Sequence, residues 1–299
     1  MFAKNKKRVN FIILALTMML SYIYCIFNHI DWSAKAVGVG VGYVGCGDVD
    51  SSIVMWNPAG MVYIESPNEL SGMYGMPFMG LATGIDLRYS MISFGRKIDN
   101  QQSIGVGIGM FDGAGVWRES VYVVGYSRAL DKLSLGLALK YLDYKVNLEA
   151  SEYGDDPLLA KGGKSVISGD IGGVYNLSNN LKLGLVVKDV ASPDISLSES
   201  GEKLEMSYFV GVNYITAGNT KMIYSLGYYG SGSESGYSLG AEVFLSGGRI
   251  ILRGSYSDVR YALGASYNLE KLRLDYTYAI PSQLTETQGS HYVGLVFRF

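Results

Sequence analysis

A glycine-rich run near the N-terminus has the spacing of a nucleotide-binding motif. Residues 40–45 read GVGYVG, which matches the pattern G-x-G-x-x-G. In dinucleotide-binding proteins these glycines form a tight turn between a strand and a helix, where they cradle a pyrophosphate. Here the run follows an apolar N-terminal stretch and leads into Cys46, Gly47 and Asp48. Because this context is wrong for a dinucleotide, we expect no cofactor.

Other residues that could carry out chemistry are sparse. Beyond the N-terminal stretch the chain has one histidine, His291, and it has neither a G-x-S-x-G nor an H-E-x-x-H motif. Asp112, Asp155 and Asp156 fall in predicted loops and could offer carboxylate oxygens to Ca²⁺. Acidic residues in loops are usually only solvated. We therefore expect no enzyme activity and no metal site.

The elements that must position these residues show a period of two. In the last ten residues, SHYVGLVFRF, the side chains of His291, Val293, Leu295, Phe297 and Phe299 share one face. A strand between lipid and a lumen requires this alternation, although a half-buried edge strand of a soluble protein would also show it. The terminal aromatics, Phe297 and Phe299, resemble the signal that barrel-insertion machinery recognises.

Alternating segments of about ten residues recur along the chain, which is the length that a tilted strand needs to cross a bilayer. We predict fourteen strands, at 69–76, 87–98, 103–111, 121–130, 133–146, 166–177, 181–191, 206–215, 222–230, 237–245, 249–256, 261–269, 272–280 and 291–299. An even number of strands lets a single-chain barrel close with both ends on one side of the membrane.

Predicted loop lengths support a barrel. Short connections, at 99–102, 131–132, 178–180, 216–221, 247–248 and 270–271, alternate with longer ones at 112–120, 147–165, 192–205, 231–236 and 281–290. The tight turn at 257–260 is the exception. Outer-membrane barrels sort their loops in this way, whereas a soluble β-sandwich has no reason to do so. The sequence therefore predicts an all-β fold, a transmembrane antiparallel up-and-down β-barrel of about 14 strands.

The N-terminus has the features of an export signal. A basic stretch at 4–8 precedes an uncharged apolar run at 9–27 and the A-x-A pattern at 34–36. We predict a secretory signal peptide over residues 1–36 that is cleaved after Ala36, with an uncleaved membrane anchor as the alternative. Cys25 lacks the small residue expected before a lipidated cysteine, so a lipoprotein is not favoured.

The remaining chain is mildly acidic. Without residues 1–36 it has 20 basic and 26 acidic residues, a net charge of about −6. No basic cluster remains that could neutralise a run of phosphates, so we expect no nucleic-acid partner. Cys46 would be its single cysteine, which excludes an intrachain disulfide. We expect such an exported chain to be stabilised by a closed ladder of backbone hydrogen bonds in the cell outer membrane.

A second motif follows the glycine-rich run. The acidic and serine-containing stretch 48–55 leads into Trp56, Asn57, Pro58, Ala59 and Gly60. Locally, Asn57 before a proline should be extended, Pro58 fixes the next φ, and Gly60 permits a sharp reversal. By itself this predicts only a rigid turn.

In this context the segment resembles the N-terminal region of the FadL (OMPP1/FadL/TodX) superfamily, and W-N-P-A-G is especially similar to its PorV/PorQ branch. The stretch LDYTYAIP at 274–281, followed by the last strand, is similar to that branch as well. The resemblance implies a barrel over 63–299 whose N-terminal segment, here 37–62, enters or lines the lumen.

The resemblance also implies the partners, which are outer-membrane lipids, the barrel-insertion machinery, and either secreted cargo proteins or a hydrophobic ligand. PorV-type members hold cargo at the cell surface after secretion, and the modest chain length favours this non-catalytic role in secretion or attachment. The alternative is FadL-like passive uptake of hydrophobic small molecules such as fatty acids or aromatics. Uptake would need a continuous apolar path through the lumen, whereas attachment would need an apolar patch on external loops, with Trp117 and Tyr153 as candidates. A barrel with a blocked lumen and a structural role is a third possibility.

Overall fold

A computed structural model describes residues 27, 31–81, 86–147, 162–197, 201–216, 218–283 and 286–299. They form a closed antiparallel barrel of 14 strands, in which each strand pairs with its neighbours in sequence and β1 pairs with β14. This confirms the predicted fold. The strands are β1 (Asn68–Met76), β2 (Leu87–Lys97), β3 (Gln102–Gly113), β4 (Trp117–Leu130), β5 (Leu133–Val146), β6 (Gly163–Ser178), β7 (Leu181–Lys188), β8 (Ser207–Ile215), β9 (Met222–Ser231), β10 (Glu234–Leu245), β11 (Ile250–Ser257), β12 (Arg260–Leu269), β13 (Leu272–Pro281) and β14 (Ser290–Arg298).

The closing seam joins the first strand to the last. Leu70 lies opposite Phe297 and Met76 lies opposite His291, so the strands pair over their full length. The end of the barrel with Asn68 and Phe299 has mostly short connections, and we call it the periplasmic end; the other is the external end. Closure satisfies the backbone donors and acceptors of every strand without an open sheet edge, as a bilayer requires.

The alternation in the sequence becomes an apolar exterior. Val124, Leu139 and Leu263 are 60%, 63% and 68% exposed, and they face away from the barrel interior. Along the same strands many of the intervening residues are buried and small or polar, such as Ser134 and Gly136 of β5. Lipid contact explains the outward leucines and valines, because their burial in hydrocarbon replaces contact with water.

The structure differs from the predicted loops at three places. The turns of the β3–β4 and β9–β10 hairpins comprise only 114–116 and 232–233, because these strands continue pairing further toward the external end. Strand β7 ends at Lys188 rather than at residue 191. Asp189 follows with a left-handed φ of 58°, and its N–H donates to a carboxylate oxygen of Asp170 at 3.0 Å.

The barrel interior is filled by the N-terminal part of the described chain. Residues 31–64, which we call the plug, contain helix α1 (Ala34–Val39) and the 3₁₀ helices η1 (Val41–Gly45), η2 (Ser51–Met55) and η3 (Pro58–Tyr63). Almost all of these residues are buried. The plug is longer at both ends than the predicted segment 37–62. It joins β1 at the periplasmic end.

No helix among the described residues is long and apolar enough to cross a membrane. The predicted signal peptide falls largely outside the described residues, and its cleavage after Ala36 stays a prediction.

Candidate functional site

The plug contacts the barrel wall through inward-facing glycines. Strands β2 to β10 each present at least one glycine whose missing side chain leaves room for the plug; they are Gly95, Gly105, Gly125, Gly136, Gly172, Gly184, Gly211, Gly227 and Gly240. We call them the glycine belt. A Cβ at Gly211 would lie 2.6 Å from the backbone nitrogen of Gly45, and one at Gly125 would lie 2.7 Å from Val54 Cγ2. Such contacts are closer than packed atoms allow, so the belt sets the fit of plug to wall.

Several belt glycines face one another across neighbouring strands. Gly95 pairs with Gly105, which pairs with Gly125, and Gly184 pairs with Gly211, which pairs with Gly227. Glycine is unfavourable within strands because of its conformational entropy and its lack of packing surface. Its repetition on the inner wall is explained by the close approach of plug side chains to β2, β3, β4 and β6 and of the plug backbone to β5 and β7–β10.

Polar wall side chains satisfy the plug carbonyls. Asn213 Nδ2 donates to the Gly42 carbonyl at 3.0 Å, and Lys182 Nζ donates to the Cys46 carbonyl at 2.9 Å. Lys188 Nζ donates to the carbonyl of Met55 at 2.9 Å, and Thr277 Oγ1 donates to that of Ala34 at 2.7 Å. A short, irregular segment has few partners of its own, so these donors make its burial possible.

The run at 40–45 consists of Gly40, which caps the end of α1, and the whole of η1. Gly40 ends α1 with a φ of 82°, a conformation that suits glycine. A Cβ at Gly42 would lie 2.7 Å from Ser225 Cβ, and one at Gly45 would lie 2.8 Å from the carbonyl oxygen of Gly211. These glycines therefore serve chain reversal and wall contact.

The predicted motif at 56–60 lies at the centre of the plug, with all five residues buried. Asn57 is extended, with φ −143° and ψ 104°, and its Oδ1 accepts a hydrogen bond from Ala59 N at 3.1 Å. Its Nδ2 donates to the Val44 carbonyl at 2.9 Å. Asn57 thus caps η3 and joins it to η1.

Gly60 differs from its predicted role. It lies inside η3, and its φ is not positive, so it does not reverse the chain. A Cβ there would lie 2.6 Å from Cys46 Sγ and would also overlap Ile53. Gly60 is required by packing between η3, η2 and the end of η1.

Trp56 is 2% exposed and packs edge-on against Tyr43, with ring centroids 5.8 Å apart. Lys188 Nζ lies 5.7 Å from the Trp56 ring centroid, in the range of a cation–π contact. The indole Nε1 has no hydrogen-bond partner among the described residues.

A buried group of charges holds the plug to β10, β11 and β13. This charged cluster contains Lys35, Asp48 and Asp50 of the plug and Glu242, Arg253, Arg273 and Asp275 of the wall. Lys35 pairs with Asp48 and lies 4.0 Å from Glu242.

Arginines complete the charged cluster. Arg253 contacts Glu242 at 3.3 Å and Asp275 at 3.2 Å. Arg273 contacts Asp275 at 2.9 Å and also pairs with Asp50. Buried charges are costly unless paired, so wall charges constrain the positions of Lys35 and Asp50, while Asp48 is paired with Lys35 within the plug.

A second group of polar contacts ties η2 to the seam. The carboxylate of Glu69 on β1 accepts from Ser51 N at 2.6 Å and pairs with Arg298 of β14 at 3.1 Å. Ser51 Oγ also donates to Ser71 Oγ at 2.7 Å. The last strand and the plug thereby share one carboxylate.

Cys46 is fully buried between η1 and η3. Burial raises the pKa of its thiol to about 12, because the thiolate would lose its hydration. The nearby Lys182 acts in the opposite direction but is the smaller effect. Cys46 is therefore a packed, unreactive thiol in the closed barrel.

A small cavity lies beside the plug near the external end. It has a volume of about 10 Å³ and lies between Gly40, Trp56, Tyr229, Ser238 and Arg260. That volume is about enough for one water molecule.

The remaining sequence candidates lie apart from the plug. His291 Nδ1 is 2.7 Å from Tyr276 Oη near the external end of the seam. Asp112 accepts from Gly115 N at 2.8 Å and pairs with Arg118 at 3.4 Å, while Asp155 and Asp156 lie outside the described residues. Within the described part of the chain, no three His, Cys, Asp or Glu side chains are grouped as a metal site.

From the sequence, residues 31–36 are predicted to belong to the signal peptide, whereas in the structure they are buried as part of the plug. The A-x-A pattern drew attention to Ala34 and Ala36 as a cleavage signal, although Lys35 between them is buried. A lone lysine flanked by alanines carries no local sign of its partners, which are distant in sequence.

The sequence matches no protein-family model and no curated protein. The fold, however, is similar to that of solved structures. The toluene transporter TbuX of Ralstonia pickettii has a TM-score of 0.61 at 13% identity, over 92% of this chain and 100% of TbuX. The toluene transporter TodX of P. putida has a TM-score of 0.61 at 11% identity, over 90% of this chain and 99% of TodX.

A FadL homologue of Pseudomonas aeruginosa has a TM-score of 0.52 at 12% identity, over 90% of this chain and 96% of that protein. At such identities the likeness concerns the fold. Membership of the superfamily and of its PorV/PorQ branch, and the outer-membrane location, stay predictions.

Proposed function

We propose that this chain is an outer-membrane channel for hydrophobic small molecules, and that its plug closes it at rest. The observation that carries the proposal is the plug itself, a separate segment fitted into a complete barrel by contacts rather than by strand pairing. Proteins of similar fold are named as toluene transporters. Since the lumen is closed, passage requires the plug to move.

The plug is held differently on its two sides. Along β2 to β10 it packs closely against the glycine belt, and Lys182, Lys188 and Asn213 donate hydrogen bonds to its carbonyls. On β10, β11 and β13 it is held by the charged cluster. Movement of the plug would therefore have to break both the hydrogen bonds and the ion pairs.

Surface attachment of cargo has less support. The external turns at 114–116, 232–233 and 258–259 are short, while the longer external connections at 77–86, 147–162, 189–206 and 282–289 lie partly outside the described residues. Trp117 is partly buried and packs toward Phe111, with ring centroids 5.9 Å apart. Tyr153 lies outside the described residues. The comparisons include no secretion protein among the similar structures reported above.

The test is uptake of ¹⁴C-labelled toluene and of a labelled long-chain fatty acid by Gram-negative cells that lack their own FadL-type transporter. Expression of this chain should raise the initial uptake rate of at least one of them several-fold over cells with empty vector. If neither molecule enters faster than in cells with empty vector, the result would contradict the proposal and favour a structural barrel.

A disulfide can test whether the plug must move. A Cβ at Gly294 of β14 would lie 3.3 Å from Ala34 Cβ in α1, close to the separation of about 3.5–4.5 Å in disulfides. In the double variant Ala34→Cys, Gly294→Cys, oxidation should abolish uptake and reduction should restore it. The two single variants are controls for the substitutions. Full uptake by the oxidised protein would show that transport bypasses the plug.

We further propose that membrane lipids contact the apolar exterior and that the insertion machinery recognises the terminal aromatics. Phe297 and Phe299 are outward-facing at the periplasmic end, 41% and 52% exposed, where a recognition factor could reach them.

A further inference from the structure

The first residue of the plug is fixed at the external end of the barrel. Asp31 pairs with Arg260 at 2.6 Å and accepts a hydrogen bond from Tyr292 Oη at 2.7 Å. Arg260 follows the external turn 258–259, and Tyr292 lies near the external start of β14. We call these three residues the external latch.

The next three residues are integrated into the wall. Trp32 is 3% exposed and packs edge-on against Tyr89 of β2, with ring centroids 5.8 Å apart. The carbonyl of Ser33 accepts from Val37 N at 3.0 Å and so begins α1. The Ala34 carbonyl accepts from Thr277 on β13. Residues 32–34 are therefore packed and hydrogen-bonded as parts of the folded protein.

Lys35 belongs to the charge balance of the lumen. Its ammonium group is buried and lies between Asp48 and Glu242. Among the described residues, Lys35 is the only ion-pair partner of Asp48. Without Lys35, the Asp48 carboxylate would be left buried and uncompensated, which is strongly unfavourable.

We propose that residues 31–36 are retained in the mature protein as part of the plug, and that the mature N-terminus lies at the external mouth. Export then removes the leader at a bond on the N-terminal side of Asp31. Hydrolysis of that bond adds one water, leaving a carboxylate on the leader and an α-ammonium group on the mature chain. The external latch and Lys35 remain intact.

A chain that begins at Val37 would be poorly accommodated. The Val37 backbone is within the barrel and the residue is 0% exposed, so a new α-ammonium group there would lie away from bulk water. Arg260 would lose Asp31, and α1 would lose its first turn. A start at Asp31 or earlier instead keeps the external latch, α1 and Lys35 intact.

The first measurement is the intact mass of the protein purified from outer membranes. A mass that corresponds to a cleaved chain starting at Asp31 or earlier supports the proposal. The uncleaved mass, or a start at any residue from 32 to 37, overturns it. This test does not depend on which molecule is transported, so its result is independent of the proposed channel function.

The position of the terminus is tested on intact cells with a membrane-impermeant amine reagent, followed by peptide mass spectrometry. The α-amino group should be labelled together with Lys145, which lies at the external end of β5 and is 69% exposed. Lys271, in the periplasmic turn 270–271, should be labelled only after permeabilisation. Labelling of Lys145 without the α-amino group would overturn the external position.

Substitution of Lys35 tests whether this residue is part of the plug in the mature protein. Lys35→Met keeps the side-chain length but removes the charge, and we expect it to shorten the half-life of the plug under external protease at least several-fold. Lys132→Met, in the exposed periplasmic turn 131–132, is the matched control. If Lys35→Met leaves the half-life unchanged, Lys35 is not part of the mature plug and the inference fails.

Discussion

Arg273 of β13 and Asp50 of the plug form a buried ion pair, although the two residues are 223 positions apart in sequence. Arg273 also contacts Asp275 on its own strand at 2.9 Å. Asp50 in turn caps η2, since its Oδ1 accepts from Ser52 N at 3.0 Å. One guanidinium group therefore joins the wall to the middle of the plug.

Arg273→Gln should loosen the plug on this side. It leaves the buried Asp50 carboxylate without its ion-pair partner and Asp275 with Arg253 alone, and breaking a buried pair typically costs about 3–5 kcal/mol. We expect more frequent openings in single-channel recordings in planar bilayers. Arg249→Gln, in the exposed periplasmic turn 246–249, should leave the recordings unchanged. An opening frequency equal to that of wild type would mean that the charged cluster does not hold the plug.

Gly60→Val should disturb the plug from within. A Cβ at this position would lie 2.6 Å from Cys46 Sγ, and the valine methyl groups would add to the overlap. Overpacking of this kind typically costs about 1–3 kcal/mol. Protease access to the plug and single-channel conductance should both rise. Gly218→Val is the control, because a Cβ there has no atom within 4 Å.

Cys46 can report on plug position. Its pKa of about 12 and its burial predict negligible reaction with a small maleimide at pH 8, where nearly all of the thiol is protonated. Opening of the plug should expose the thiol and return its pKa toward about 8.5, which raises the labelling rate by orders of magnitude. Quantitative peptide mass spectrometry measures this rate. Fast labelling of wild type without ligand would contradict a plug that is closed at rest.

Leu139→Arg tests the lipid-facing assignment. Leu139 is 63% exposed on the outer face of β5, and an arginine near the bilayer midplane costs about 2–4 kcal/mol. The free energy of unfolding in lipid vesicles, from urea titration, should fall by this amount. Leu269→Arg, at the periplasmic end of β12, should cost only about 0–1 kcal/mol. Equal losses at both sites would exclude the predicted membrane position.

Phe299→Ala tests the insertion signal. The backbone of Phe299 pairs with Asn68, with N–O distances of 3.0 and 3.1 Å, and the substitution preserves these bonds. We expect slower assembly in vivo, seen as less heat-modifiable barrel in outer-membrane fractions. Phe94→Ala removes a neighbouring ring, 6.3 Å from that of Phe299, and is the control. If both variants lose similar amounts of heat-modifiable barrel, the effect comes from lost ring packing and not from recognition of the C-terminal residue.

The barrel could be predicted because its main determinant is local. A lipid-facing strand alternates within a few residues, so the pattern of Leu135, Leu137 and Leu139 identifies β5 without knowledge of its neighbours. The same local alternation in β13 separates the inward charges Arg273 and Asp275 from the outward Leu274. Strand ends were less predictable, because continued pairing at Trp117 or Glu234 depends on the opposite strand.

The plug contacts could not be predicted in the same way. Nothing near Arg273 indicates Asp50, and nothing near Gly211 indicates the backbone of Gly45, since these contacts form only when the barrel encloses the plug. The motif at 56–60 was noticed through its turn chemistry, but the packing role of Gly60 became evident only in three dimensions. The belt likewise accounts for nine of the 39 glycines.

The path of the plug constrains how this protein can be assembled. The plug runs from Asp31 at the external end to Ile64, which leads into β1 at the periplasmic end, while β1 is sealed to β14, the last strand made. Once that seam has closed, the plug could reach its position only by threading Asp31 through the narrow interior. We therefore expect the N-terminal segment to be gathered between the growing strands first, with closure of the seam as the final step of folding.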